Sequence, residues 1–289
     1  MNIVDTHFHL WDLDKLRYPW LDEEPTLNRS FLLEDYYTAT ENLTVEQMVM
    51  VQCECLPSQA LEEAKWIAEC AQQEPRLAGM VAFAPLEQGR AVASHLDQLR
   101  EINPNVVGIR RLLQGEQDNA FCLQPSFIEG VGLLEQYDLP YDLCINWRHL
   151  PYVYEFAQQL PNVRMVIDHI AKPDIKHGGF DDWAGWMEKL AKLDHVHCKL
   201  SSLATEADQD NWTIDDLRPY VDHVLTHFGV EKCMYASDWP VCTLAADYET
   251  CVSTLQTLIG GLSESEQAAI FRENGRAFYR LPVQMGTTT

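Results

Sequence analysis

A chain of 289 residues corresponds to about two domains of ~150 residues, or to one (β/α)8 barrel, for which ~250 residues is typical. Its 46% hydrophobic and 22% charged residues exclude a disordered or low-complexity chain and provide for a sizeable core. Against 21 Lys and Arg stand 44 Asp and Glu, a formal charge of −23 that repels phosphate backbones and anionic lipid headgroups, so nucleic-acid and membrane-surface partners are not expected.

No window approaches the ~18 consecutive apolar residues of a membrane span, and the N-terminus runs into polar Asp5-Thr6-His7 without a basic region before it. A soluble, cytoplasmic protein is expected. The nine cysteines are odd in number and form no C-x-x-C pair, which reads as reduced, mostly buried thiols.

In chain order, the first short apolar run is Asn2–Leu10. A glycine-free stretch from Trp11 to Asp35, containing Tyr18-Pro19-Trp20, follows it and is too long for a βα loop of ~2–6 residues; it is expected to cover a site. Val45–Cys53 is the second strand, and Ser58 to Gln73 reads as an amphipathic helix with Leu61, Ala64 and Ala68 on one face and Glu62, Glu63 and Lys65 largely elsewhere. Leu77–Ala84, Val106–Leu112, Tyr141–Ile145 and Val163–Ile170 continue the strands. Trp183 to Leu193 predicts a helix, Val196–Leu203 and Lys232–Ser237 are strands seven and eight, and Tyr248 to Ile259 is a further helix. Ser263-Glu264-Ser265-Glu266 is a capping box opening a last helix that should stop near Asn274-Gly275.

Runs such as Met48-Val49-Met50-Val51 are continuously apolar, the pattern of parallel strands covered on both faces. Eight strands alternating with helices predict a single (β/α)8 barrel over residues 1–283, with a polar tail at 284–289. A doubly wound open sheet is the alternative, but no G-x-G-x-x-G follows the first strand.

Barrel enzymes carry their chemistry at the C-terminal ends of the strands. Those ends are polar here: His7 and His9, Gln52 and Glu54, Arg110 and Arg111, Asn146, Asp168 and His169, Ser201 and Ser202, then Asp238 and Trp239. His7 and His9, two apart on a strand, point to the same side and can grip one metal ion or one substrate oxygen.

The segments Asp5-Thr6-His7-Phe8-His9-Leu10-Trp11-Asp12, Tyr18-Pro19-Trp20-Leu21, Gly108-Ile109-Arg110, Asp168-His169-Ile170-Ala171-Lys172-Pro173, Cys198-Lys199-Leu200-Ser201 and Ala236-Ser237-Asp238-Trp239-Pro240 resemble the amidohydrolase superfamily. More closely, they resemble its amidohydrolase-related branch of sugar lactonases, fuconolactonase-like and rhamnonolactonase-like, which is similar to 2-pyrone-4,6-dicarboxylate lactonases. The resemblance runs from residue 2 to about residue 280. Binuclear members use a lysine or glutamate at the fourth strand end and a histidine at the fifth, where this chain has Arg110 and Asn146. The resemblance therefore implies at most one divalent metal ion, Zn²⁺, held by His7, His9, His169 and Asp238, and leaves open catalysis without a metal.

Within that reading Asp238 is the general base that activates water, and His169 polarises the lactone carbonyl. Arg110 is suited to holding a substrate carboxylate or hydroxyl, while Glu54, Asn146 and Trp239 are candidates for sugar hydroxyls or ring stacking. Arg111 should point away and pair with surface acids. Lys172, Lys199 and Ser201 lie in the same motifs and are assigned no role. No Gly-x-Ser-x-Gly elbow is present, which disfavours an acyl-enzyme. The expected reaction is opening of a small sugar-derived lactone. A pyrone-dicarboxylate lactonase, a mononuclear-metal decarboxylase and a non-catalytic sugar-binding barrel are the alternatives. The one or two arginines favour a neutral aldonolactone over a dicarboxylate. The only partner read from the chain is a small-molecule substrate, and a homo-oligomer is compatible with such a barrel by analogy alone.

Overall fold

The apolar runs become eight parallel strands hydrogen-bonded in sequence order. They are β1 Asn2–Phe8, β2 Thr44–Val51, β3 Leu77–Ala82, β4 Val106–Ile109, β5 Tyr141–Leu143, β6 Met165–Ile167, β7 Val196–Leu200 and β8 Cys233–Tyr235 in the computed structural model, which describes residues 1–282. The ends of β1 and β8 meet through a parallel bridge between Phe8 and Trp239, with Asp238 N–H donating to His7 O at 2.8 Å and His9 N–H to Trp239 O at 2.7 Å. The sheet closes there as a (β/α)8 barrel.

Each strand is shorter than its apolar run. The residues beyond it leave the ladder to turn into the mouth, and Glu54, His169, Ile170, Ala171, Lys172, Ser202 and Asp238 all carry positive φ there. Left-handed backbone costs a non-glycine residue roughly 1–3 kcal/mol. Its clustering at the strand ends is the first structural mark of a site.

Helices α1 Leu33–Ala39, α2 Ala60–Gln73, α3 Ala93–Ile102, α4 Pro125–Gly132, α5 Leu134–Tyr137, α6 Leu150–Gln158, α7 Phe180–Ala191, α8 Ile214–Phe228 and α9 Tyr248–Leu258 surround the strands. Their apolar stripes face inward; Phe127 of α4 and Phe156 of α6 pack on Tyr141 of β5 with ring centroids 6.1 and 6.2 Å apart. Among the described residues no helix is long and apolar enough to cross a membrane.

Three expectations need correction. Glu63 is not on the polar face of α2 but fully buried, accepting the Cys53 N–H at 3.2 Å. The long covering stretch ends sooner than Asp35, because α1 begins at Leu33. At the C-terminus, Ser263 and Glu266 form the capping box, yet Gly275 does not end the helix. The chain runs from α10 Glu264–Ala268 through a π-helical turn, Ala269–Glu273, into α11 Asn274–Phe278. Gly275 serves close approach, since a Cβ there would lie 2.2 Å from Thr6 Cγ2 on β1. The expected 284–289 tail lies outside the described residues.

Candidate active site

Strand pleating puts Asp5, His7 and His9 on one side of β1. Asp5 is a fully buried fastening. Its carboxylate accepts from Ser237 N–H at 3.0 Å, His7 N–H at 3.2 Å, Ser237 Oγ–H at 2.7 Å and the hydroxyls of Tyr36 and Tyr248, each at 3.0 Å. It thereby ties β1, the end of β8, α1 and α9 together directly beneath His7 and Asp238.

Above it, four ligand atoms converge. His7 Nε2 and His9 Nε2 are 3.2 Å apart, and Asp238 Oδ1 lies 3.3 Å from His9 Nε2, 3.6 Å from His7 Nε2 and 3.8 Å from His169 Nε2. The far ring nitrogen fixes the His9 imidazole: its Nδ1–H donates to Val51 O at 2.7 Å, which leaves a lone pair on Nε2. His7 is held on both sides, its Nε2 3.2 Å from Arg110 Nη1 and its Nδ1 3.2 Å from Lys199 Nζ and 3.3 Å from Asp168 Oδ1. The His9 lone pair, the His7 ring and the Asp238 carboxylate together make a donor set suited to a cation.

Two atoms bound at ~2.0–2.1 Å in a tetrahedral zinc site are about 3.3 Å apart, so these spacings fit one divalent ion. His7, His9 and Asp238 form one buried group able to hold it, and His7, Asp168 and His169 form an adjoining one. When bound, such an ion supplies Lewis-acid polarisation of a carbonyl and a more acidic coordinated water.

The electrostatics keep the Asp238 carboxylate ionised. Burial pushes the Asp238 carboxyl up, but His169, His9 and His7 outweigh it and hold it well below the usual carboxylate range, while Ser202 Oγ–H donates to its Oδ2. Burial pulls His169 down to about 4 against Asp238 and Asp168, so this imidazole is neutral at pH 7. Its Nδ1 meets Ser201 Oγ at 2.9 Å, a hydroxyl that can donate or accept, and this leaves Nε2 able to carry its proton towards a substrate oxygen.

The site opens into a 440 Å³ cavity lined by His9, Glu54, Arg110, Arg111, His169, Lys172 and Asp238 among others, with Trp11 and Trp20 of the covering stretch on its wall. Trp20 is fixed by Nε1–H donating to Cys53 O at 2.8 Å, and Trp11 by Nε1–H to Arg29 O at 2.6 Å.

Not every expected residue reaches the cavity as foreseen. Arg110 lines it but turns its donors inward, to Asp168 Oδ2 at 3.3 Å and Gln52 O at 2.5 Å. Arg111 pairs with Glu87 at 3.2 Å and Glu116 at 2.6 Å as expected, yet it also lines the cavity. Asn146 and Trp239 are not among the residues that line the cavity. The Asn146 side chain caps the turn Trp147–His149 by accepting the Arg148 N–H at 3.0 Å, and Trp239 is buried edge-on against Phe31 and Tyr36. Four buried residues given no role hold the centre from below: Lys199 Nζ reaches Asp142 at 2.6 Å, Asp168 at 2.9 Å and His7 Nδ1 at 3.2 Å, and Tyr279 donates to Asp142 at 2.6 Å. A lysine inside an apolar strand, Val196 to Leu200, was the available signal, because such a charge is stable only when partnered.

The family model described as amidohydrolase matches residues 4–281. The chain belongs to the amidohydrolase family. This amidohydrolase is 32% identical over 285 residues to an L-fucono-1,5-lactonase of Burkholderia ambifaria, covering 96% of this chain and 95% of that one. A crystal structure of an amidohydrolase from Burkholderia multivorans with bound zinc superposes at a TM-score of 0.89 with 29% identity, over 98% of this chain and all of that one. A probable 2-pyrone-4,6-dicarboxylic acid hydrolase from Acinetobacter baumannii, at TM-score 0.79 and 16% identity over 97% and 100% of the two chains, shares the fold. The expected family and barrel thus both hold, and the chain is an amidohydrolase-type hydrolase.

Proposed function

We propose that this enzyme hydrolyses a small sugar-derived lactone, an aldonolactone of the L-fuconolactone or L-rhamnonolactone type. The observation that carries the reading is the convergence of His7, His9, His169 and Asp238 at the mouth of a cavity of the size that holds a small ligand. The similarity to the L-fucono-1,5-lactonase of Burkholderia ambifaria supports it.

Asp238, ionised and anchored through Oδ2, takes a proton from water as the water attacks the carbonyl carbon. The neutral His169 binds the carbonyl oxygen as negative charge develops on it. Collapse of the tetrahedral intermediate breaks the bond to the ring oxygen, which receives the proton from Asp238, so the products are the open hydroxy acid and the regenerated carboxylate. His7, His9 and Asp238 would hold a divalent ion, leaving His169 to the carbonyl oxygen.

The dicarboxylate alternative is not favoured. Three cations line the cavity, more than the one or two arginines expected, but Asp168 compensates Arg110 and Glu87 with Glu116 compensates Arg111. One unpaired positive charge suits a neutral lactone better than two carboxylates. The test is acid release, followed with a pH indicator, from a panel of aldonolactones and 2-pyrone-4,6-dicarboxylate, with metal analysis and a chelator-treated sample alongside. Turnover of sugar lactones is expected, falling on chelation and returning with Zn²⁺. Silence across the panel in a folded, metal-loaded sample overturns the reading.

A further inference from the structure

The three cations on the cavity wall differ in what already holds them. Arg110 and Arg111 are in ion pairs with Asp168, Glu87 and Glu116. The Lys172 side chain, half-buried on the same wall, has no hydrogen-bond or ion-pair partner among the described residues. Its ammonium therefore keeps its donors for water or for a ligand oxygen in the cavity. Burial lowers its pKa, but Cys144, Glu206 and Asp238 outweigh that and move it upward, so the group is charged at neutral pH.

The backbone maintains this placement against its own preference. His169, Ile170, Ala171 and Lys172 are four consecutive left-handed residues with φ of 53, 47, 62 and 45°. For β-branched Ile170 the conformation is especially unfavourable. The turn is pinned by Lys172 N–H to His169 O at 2.8 Å and by Trp183 Nε1–H to Ile170 O at 2.6 Å. His169 and Lys172 therefore leave the two ends of one rigid turn, and both side chains line the same cavity.

We propose that Lys172 determines specificity in this site, binding a substrate oxygen beside the carbonyl and then holding the carboxylate of the ring-opened acid. This rests on the lactonase reading. In an aldonolactone the carbonyl carbon is flanked by the ring oxygen and the C2 hydroxyl, and hydrolysis turns that carbon into a carboxylate. Among the described residues lining the cavity, Lys172 is the cation left free to meet the new charge.

The test is calorimetric titration of the full chain with L-fuconate and with the uncharged alditol L-fucitol, for wild type, Lys172→Met and Lys172→Arg, beside lactone kinetics. A charge-assisted hydrogen bond predicts a rise of roughly tenfold or more in the Kd of fuconate for Lys172→Met. Lys172→Arg should restore most of it, fucitol affinity should change less than about twofold, and KM for the lactone should rise more than kcat falls. Equal fuconate affinity in wild type and a folded Lys172→Met, or no fuconate binding by wild type, overturns the proposal. Lactone turnover with fuconate affinity unchanged in Lys172→Met removes Lys172 and leaves the lactonase reading intact. Lys172-dependent fuconate binding without any turnover supports the anion site and removes that reading.

Discussion

Two layers of the barrel mouth are built from the same residue types and behave oppositely. In the lower layer, Asp5 accepts five hydrogen bonds, and Lys199 is enclosed by Asp142, Asp168 and His7. In the upper layer, Asp238 has one hydroxyl donor and three imidazoles around it, while the Lys172 ammonium has no partner among the described residues. Buried polar groups that satisfy one another hold the scaffold, and those left wanting a partner are available to a ligand. The lower layer makes the upper one possible: Asp5 joins the strand ends bearing His7 and Asp238, and Asp168 orients the His7 ring.

The sharpest break between the layers is expected from the two aspartates. Asp238→Asn should lower kcat by ~10²–10⁴-fold with an unchanged thermal midpoint. Asp5→Asn should leave donors facing an amide and reduce stability by about 2 kcal/mol or more, read from denaturant unfolding. Near-normal turnover in Asp238→Asn would remove its role as base.

The lysines give the next largest contrast. Lys199→Met strands Asp142 and Asp168 in the barrel interior and should destabilise by about 3–5 kcal/mol. Lys172→Met removes a half-buried charge that has no hydrogen-bond or ion-pair partner among the described residues and should cost much less stability than Lys199→Met. Equal losses in the two variants would dissolve the distinction between the layers.

A smaller effect sharpens the comparison at its edge. Burial pushes Glu63 up to about 8 from an ordinary 4.5, so between those values the folded protein keeps a proton that the unfolded chain has released. Stability is then fullest below the ordinary carboxylate range and is lost as pH rises through about 8. Glu63→Gln should flatten that decline in melts recorded between pH 5 and 9; an unaltered slope would place the effect elsewhere.

The strands were legible because each is an apolar run long enough to be covered on both faces. The cluster of His7, His9, His169 and Asp238 was legible because polar groups at the ends of such runs are costly to bury unless they serve one another or a ligand. Strand ends were less so. Val163–Ile170 contains only a three-residue strand, since Asp168 to Lys172 leave the ladder for a left-handed turn that no propensity favours. Asn146 and Trp239 stood at strand ends like the others, but nothing in local sequence says whether a terminal side chain turns into the mouth, caps the next turn or packs behind it.

By itself, then, the sequence determined the barrel through the periodicity of its apolar runs, and its resemblance to the amidohydrolases pointed to the family and to His7, His9, His169 and Asp238 as candidates. Only the tertiary structure decided which charges are already compensated. That property belongs to pairs such as Arg110 with Asp168 and Lys199 with Asp142, whose members lie 58 and 57 residues apart. Compensation depends on distance and burial in three dimensions, and those arise only when the strands close the barrel.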